Sequence, residues 1–72
     1  MNPDNLKIYI GKFVSANVNI RGKDRPLNVL GVLSFDEYNE MYDITNLKTN
    51  KSISIKAEDI ILIKLTGRHD GE

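Results

Sequence analysis

Residues 53–65 carry two apolar segments separated by the tight polar step Ala57-Glu58-Asp59. Ile53-Ser54-Ile55 alternates apolar and polar, the pattern of a half-buried strand. Residues 60–65 read Ile-Ile-Leu-Ile-Lys-Leu and are apolar on both alternating faces. Ile61, Ile63 and Leu65 point one way on a regular strand, and Ile60 and Leu62 the other. A strand apolar on both faces needs cover on both sides. In so short a chain that cover is expected from another copy.

Seventy-two residues make one small domain. A domain of this size buries only about 60% of its unfolded surface and needs a staple, a metal or a partner. The chain has no cysteine, which excludes disulfides and thiolate metal sites. His69, the only histidine, lies in a polar stretch at residues 67–72 that is expected to be a mobile tail. No metal site or cofactor is expected, and oligomerisation is the remaining remedy. Ten Lys and Arg balance ten Asp and Glu, which argues against strong non-specific binding to nucleic acid. No apolar run approaches the ~20 residues of a membrane span. Residues 1–5 have neither a basic leader nor an apolar core behind them. A cytoplasmic protein is the expectation.

Taken in order, Asn2 and Pro3 offer a cap and first residue for about one turn of helix. Gly11 is read as a bend. Residues 12–20 form a strand with Val14, Ala16, Val18 and Ile20 on one face and Ser15, Asn17 and Asn19 on the other. Residues 21–26 form a loop punctuated by Gly22 and Pro26. Residues 27–35 form a second strand with Leu27, Val29, Leu33 and Phe35 in one row. Gly31 in that row implies a bulge or sharp bend, and Leu30 and Val32 on the reverse imply cover on both sides. Residues 36–39 are a turn, residues 40–47 a third strand, and residues 48–51 a hairpin tip. Short strands, tight turns and a bent second strand predict a small antiparallel barrel over residues 1–66.

Two segments resemble the paired motifs of the Sm and Sm-like (Lsm) family, which includes bacterial Hfq. Gly31-Val32-Leu33-Ser34-Phe35-Asp36-Glu37-Tyr38-Asn39 has the order of the first motif, with one residue fewer before the aromatic and no Met. Ile55-Lys56-Ala57-Glu58-Asp59-Ile60-Ile61-Leu62-Ile63 keeps the apolar frame of the second, with Lys56 and Ala57 where the family has Arg and Gly. The resemblance implies an all-β, strongly bent, five-stranded SH3-like barrel with a short N-terminal helix. It also implies a homo-oligomeric ring in which the fourth strand of one subunit pairs with the fifth of the next. Ile53, Ile55, Ile60, Ile61, Leu62, Ile63 and Leu65 would then form the subunit interface. A closed ring removes every exposed sheet edge.

The resemblance places Tyr38 and Asn39 where the family stacks and reads a base, Lys56 as a pore charge, and Asp36 as a support for the loop. A solvated turn and a strand-end lysine are the plain alternatives. Arg21, Lys23 and Arg25 form a cluster suited to phosphate or to a partner. Against RNA stand Asp36, Glu37, Glu40 and Asp43, within eight residues of one another around the same loop. Tyr9, Phe13, Phe35 and Tyr42 read as core or interface aromatics. No cysteine nucleophile, positioned histidine or glycine-rich phosphate loop is present, so an enzyme is not expected. The expected function is a ring that binds single-stranded RNA containing uridine or adenine. A protein-binding scaffold ring and a monomeric SH3-like or OB-type barrel are the alternatives.

Overall fold

The computed structural model describes residues 3–66. Helix α1 (Pro3–Leu6) runs into a 3-10 turn (Lys7–Tyr9) and then into five strands. These are β1 (Phe13–Val18), β2 (Leu27–Asp36), β3 (Met41–Asn46), β4 (Lys51–Ile55) and β5 (Ile60–Leu65), with a second 3-10 turn (Ala57–Asp59) before β5. The five strands pair antiparallel, in one sheet of order β4-β3-β2-β1-β5. The expected five-stranded antiparallel sheet with a short N-terminal helix is present. Asn2 and the tail at 67–72 lie outside the described residues. The expected barrel closure is absent within the chain: β4 and β5 end the sheet on either side and do not pair with each other.

Those two outermost strands are nevertheless consecutive in the chain, joined only by residues 56–59. In a flat sheet they would stand four strand spacings apart, about 19 Å. Ile55 is level with Tyr42 and Phe35, whereas Ile60 is level with Val18 and Leu27. Eight residues of β2 separate those levels, about 26 Å more along the strand. Five steps of extended chain span at most about 17 Å, and a 3-10 turn shortens that further. The sheet therefore has to curl until its ends approach.

Gly31 lies midway along β2, next to Val32, where the pairing of the strand passes from β1 to β3. A Cβ there would lie 2.6 Å from the Thr45 carbonyl carbon and 3.0 Å from the Ile44 Cγ2. The obstruction is chiefly backbone, which cannot rotate out of the way. Only glycine lets β3 approach so closely, and this close approach is what the residue provides. Gly11, at φ +83°, makes the other turn read from the sequence and donates its N–H to the Leu33 carbonyl at 2.7 Å.

Curling gives the sheet an inner face. Val14, Ala16 and Val18 of β1 are buried with Leu33, Tyr42, Ile44 and Ile55, and Leu6 of α1 plugs the same core. The outer face is polar. Asn28 donates to Asn17 Oδ1 and Ser15 Oγ at 2.9 and 3.1 Å, Ser54 donates to Asp43 at 2.6 Å, and the Thr45 and Ser52 hydroxyls meet at 2.8 Å. β2 departs from expectation at both ends: Leu27 and Phe35 share the row of Leu33 yet are exposed. Leu30, on the reverse of the strand, is also exposed rather than covered.

β5 departs more sharply. Val18 is level with Ile60 but Asn17 with Leu62, so Ile61 is an extra, bulged residue. The bulge turns Ile60 and Ile63 to the same, inner side, where both are buried. The regular alternation that put Ile63 with Ile61 is thereby broken, while Leu65, level with Val14, stays in step with Ile63.

Gly31→Ala is expected to cost about 1–3 kcal/mol, as overpacking of a tight contact does. A thermal melt should show a midpoint lower by several degrees for each kcal/mol in a domain this small. A midpoint equal to wild type would mean that β3 does not need the close approach. Leu6→Ala should cost about 2–5 kcal/mol, a loss readable in the same melt.

Candidate nucleic-acid interface

The turn between β2 and β3 is organised by one carboxylate. Asp36 Oδ1 accepts the backbone N–H of Tyr38 at 3.0 Å and of Asn39 at 3.3 Å, and its Oδ2 accepts Asn39 Nδ2 at 2.8 Å. Asp side chains favour this local closure because they reach their own backbone two and three residues on. The Asn39 side-chain amide, followed by backbone N–H groups, holds the Asp36 carboxyl below the ordinary carboxylate range. The loop-supporting role read for Asp36 is the one its bonds describe. Glu40 completes the turn in the left-handed region at φ 54°.

The two residues expected to meet a base sit on this scaffold. Tyr38 is 93% exposed, an extreme value for an aromatic. Asn39 has its nitrogen committed to a carboxylate, which only accepts. The amide oxygen is therefore its remaining side-chain acceptor. Beside them, Ile10, Ser34, Phe35, Asp36, Glu37 and Tyr38 line an open hollow. Phe35 leans on Tyr42 with ring centroids 4.9 Å apart at 49°. Neither Ile10 nor Ser34 stood out in the sequence. Ile10 reaches the hollow because it bridges to Leu33, a contact that no local pattern signals.

Lys56 is exposed in extended backbone (φ −76°, ψ 148°). It follows Ile55, which pairs with Tyr42, and the next β3 residue, Met41, pairs with Asp36. Lys56 and the Asp36 turn are thus at the same end of the sheet, about two strand spacings or 10 Å apart in backbone. The acids divide as alternation requires: Asp43 is on the outer face with Ser54, while Glu37 and Glu40 stay exposed in the turn. Arg21, Lys23 and Arg25 lie at the opposite end of β2, all exposed.

The residues expected at a subunit interface divide into two sets. Ile55, Ile60 and Ile63 are buried in this chain's own core, and Ile53 packs against that core, so their side chains are already engaged. Ile61, Leu62 and Leu65 are 49, 51 and 56% exposed. Among the described residues no cluster of three or more His, Cys, Asp or Glu is placed to hold a metal ion, and no helix is long and apolar enough to cross a membrane. Comparison with protein-family models, with curated proteins and with solved structures finds no match to the chain.

Because folding favours ionised Asp36, its contribution to the turn is complete above the ordinary carboxylate range and is lost as pH falls through the lowered folded value. Hydrogen exchange of the Tyr38 and Asn39 amides should accelerate, relative to core amides, in Asp36→Ala at neutral pH and in wild type on acidification. Unchanged protection in D36A would mean that the turn holds without the carboxylate.

Proposed function

We propose that this chain is an Sm-like subunit that assembles with its own copies into a closed ring and binds single-stranded RNA at the Asp36 turn. The observation that carries the reading is a curled sheet whose two unpaired edges, β4 and β5, belong to one small domain. A strand edge presents a row of unmet N–H and C=O groups that another strand can complete. On β5 that edge is flanked by exposed Ile61, Leu62 and Leu65, so apolar burial accompanies the backbone pairing. Joining β4 of one copy to β5 of the next is a head-to-tail contact, and a repeated rotation closes it into a ring. The joint would complete a barrel-like wall that the single chain leaves open.

In that ring every copy presents Tyr38 on a turn fixed by Asp36. An aromatic face stacks on a base for about 1–3 kcal/mol. The Asn39 amide oxygen accepts from a base donor such as the uracil N3–H or the adenine amino group. Lys56, at the same end, supplies charge toward phosphate. A ring that binds protein rather than RNA is the second reading. It is favoured by Glu37 and Glu40, which flank Tyr38 with no ion pair among the described residues.

Light scattering is expected to give a mass several times that of one chain. Ile61→Lys and Leu65→Lys, both at exposed positions, are expected to reduce it to a single folded chain. A monomeric wild type at working concentration removes the ring. Fluorescence anisotropy with short oligo-U and oligo-A should show binding weakened roughly tenfold to a hundredfold by Tyr38→Ala, the equivalent of about 1–3 kcal/mol. Affinity unaltered by Y38A, in an intact ring, removes the base-stacking role and favours the protein-binding reading.

A further inference from the structure

The formal neutrality of the chain hides a separation of charge along β2. At its Asp36 end stand Asp36, Glu37 and Glu40. At its Leu27 end the loop before the strand carries Arg21, Lys23 and Arg25. The sheet order brings a second basic segment to that end. β3 runs back along β2, so the β3–β4 turn, which carries Lys48, and Lys51 at the start of β4 arrive beside the first half of β2. Leu27, Asn28 and Leu30 of β2 line one shared hollow with Asn46, Thr49 and Lys51. The start of β2 and the β3–β4 hairpin thus line a single depression, and the loop carrying Arg21, Lys23 and Arg25 leads directly into it at Leu27.

Both segments are held in shape by their own hydrogen bonds. Lys23 donates its backbone N–H to the Ile20 carbonyl at 3.0 Å across Gly22, at φ +86°. Asn46 Oδ1 accepts the N–H groups of Lys48 and Thr49 at 2.9 and 3.1 Å, and Asn50 closes the turn at φ 59°. Cations carried on preformed turns lose less entropy on engaging a ligand than those on a disordered arm. The acids nearby are fewer: Asp24 within the loop, and Glu58 and Asp59 in the 3-10 turn that accepts the Asn19 N–H at 2.8 Å. The hollow itself offers amide and hydroxyl groups from Asn28, Asn46 and Thr49, suited to sugar and phosphate oxygens.

We propose that this hollow and the loop leading into it form a phosphate-binding surface for the backbone of a single-stranded nucleic acid, with Arg21, Lys23, Arg25 and Lys51 as the contacting cations. The proposal deepens the RNA reading above and shares its ligand. None of its residues belongs to the Tyr38 turn, and it does not require the ring. It assigns the electrostatic part of binding to the end of the sheet away from Glu37 and Glu40, where phosphate is not repelled. Stacking and charge attraction are then supplied by opposite ends of one subunit.

The test is the salt dependence of oligo-U binding to wild type, to Arg21→Gln/Lys23→Gln/Arg25→Gln, and to Tyr38→Ala. Single strands lose affinity with a logarithmic slope of about −0.7 per phosphate contacted. Four contacts give about a 50-fold loss between 50 and 200 mM salt, and the triple variant should lose only about threefold. Tyr38→Ala should weaken binding with the steep slope retained. A triple variant that keeps the wild-type affinity and slope, while Y38A loses affinity, overturns this surface and leaves the RNA site standing. Poly-glutamate binding as tightly as oligo-U overturns it in favour of an acidic polypeptide ligand. No RNA binding by any form at 50 mM salt overturns both proposals.

Discussion

Four residues between the two outermost strands of a five-stranded sheet are the constraint from which the rest of this molecule follows. A strand pair that is adjacent in sequence and remote in the sheet cannot stay flat. The chain meets the demand by coiling the sheet around a core of aliphatic residues. Coiling concentrates curvature in the longest strand, and the longest strand carries a glycine where the β3 backbone comes closest. The order of strands, the position of Gly31 and the one-sided core are thus consequences of a short connection.

The same constraint distributes the chemistry. Because β2 is long and pairs with β1 along one half and β3 along the other, its two ends face different surroundings, and each end is met by one turn from the neighbouring strands. The Asp36 end receives the start of β3 and, through the end of β4, Lys56. The Leu27 end receives the β3–β4 turn. A chain with zero formal charge can therefore present surfaces of opposite sign. Composition alone argues against a nucleic-acid ligand here, whereas the placement of loops supports one. Net charge averages over the surface, and a ligand meets only one part of it.

Much of the architecture was legible because it depends on local pattern. The alternation over Val14, Ala16 and Val18, the turn residues around Gly22 and Pro26, and the Asp36–Asn39 turn all operate within a few residues. What escaped depends on pairing between distant segments. Leu6 offers no signal of its own that it will fill the core, since its burial depends on where α1 docks. Lys51 reads as a hairpin-tip lysine until the strand order places it across a hollow from Leu27. Ile55, Ile60 and Ile63, expected at a subunit interface, have their side chains in the chain's own core, a destination that their apolarity alone does not reveal. Strand apolarity shows that burial is wanted, and only the fold decides by whom.

A run such as Ile-Ile-Leu-Ile carries no facing of its own, and in β5 the bulged Ile61 decides it. With that residue in place Lys64 stands opposite Ser15, turned to water. Were Ile61 drawn into the ladder opposite Asn17 while Ile60 stayed anchored at Val18, the rest of the strand would rotate by half a turn about its axis. Lys64 would then come level with Val14 in the oily interior, and Ile63 would point outward. The sidedness of β5 is accordingly held by one residue kept out of the ladder, and everything after Ile61 keeps its face only while that residue stays unpaired.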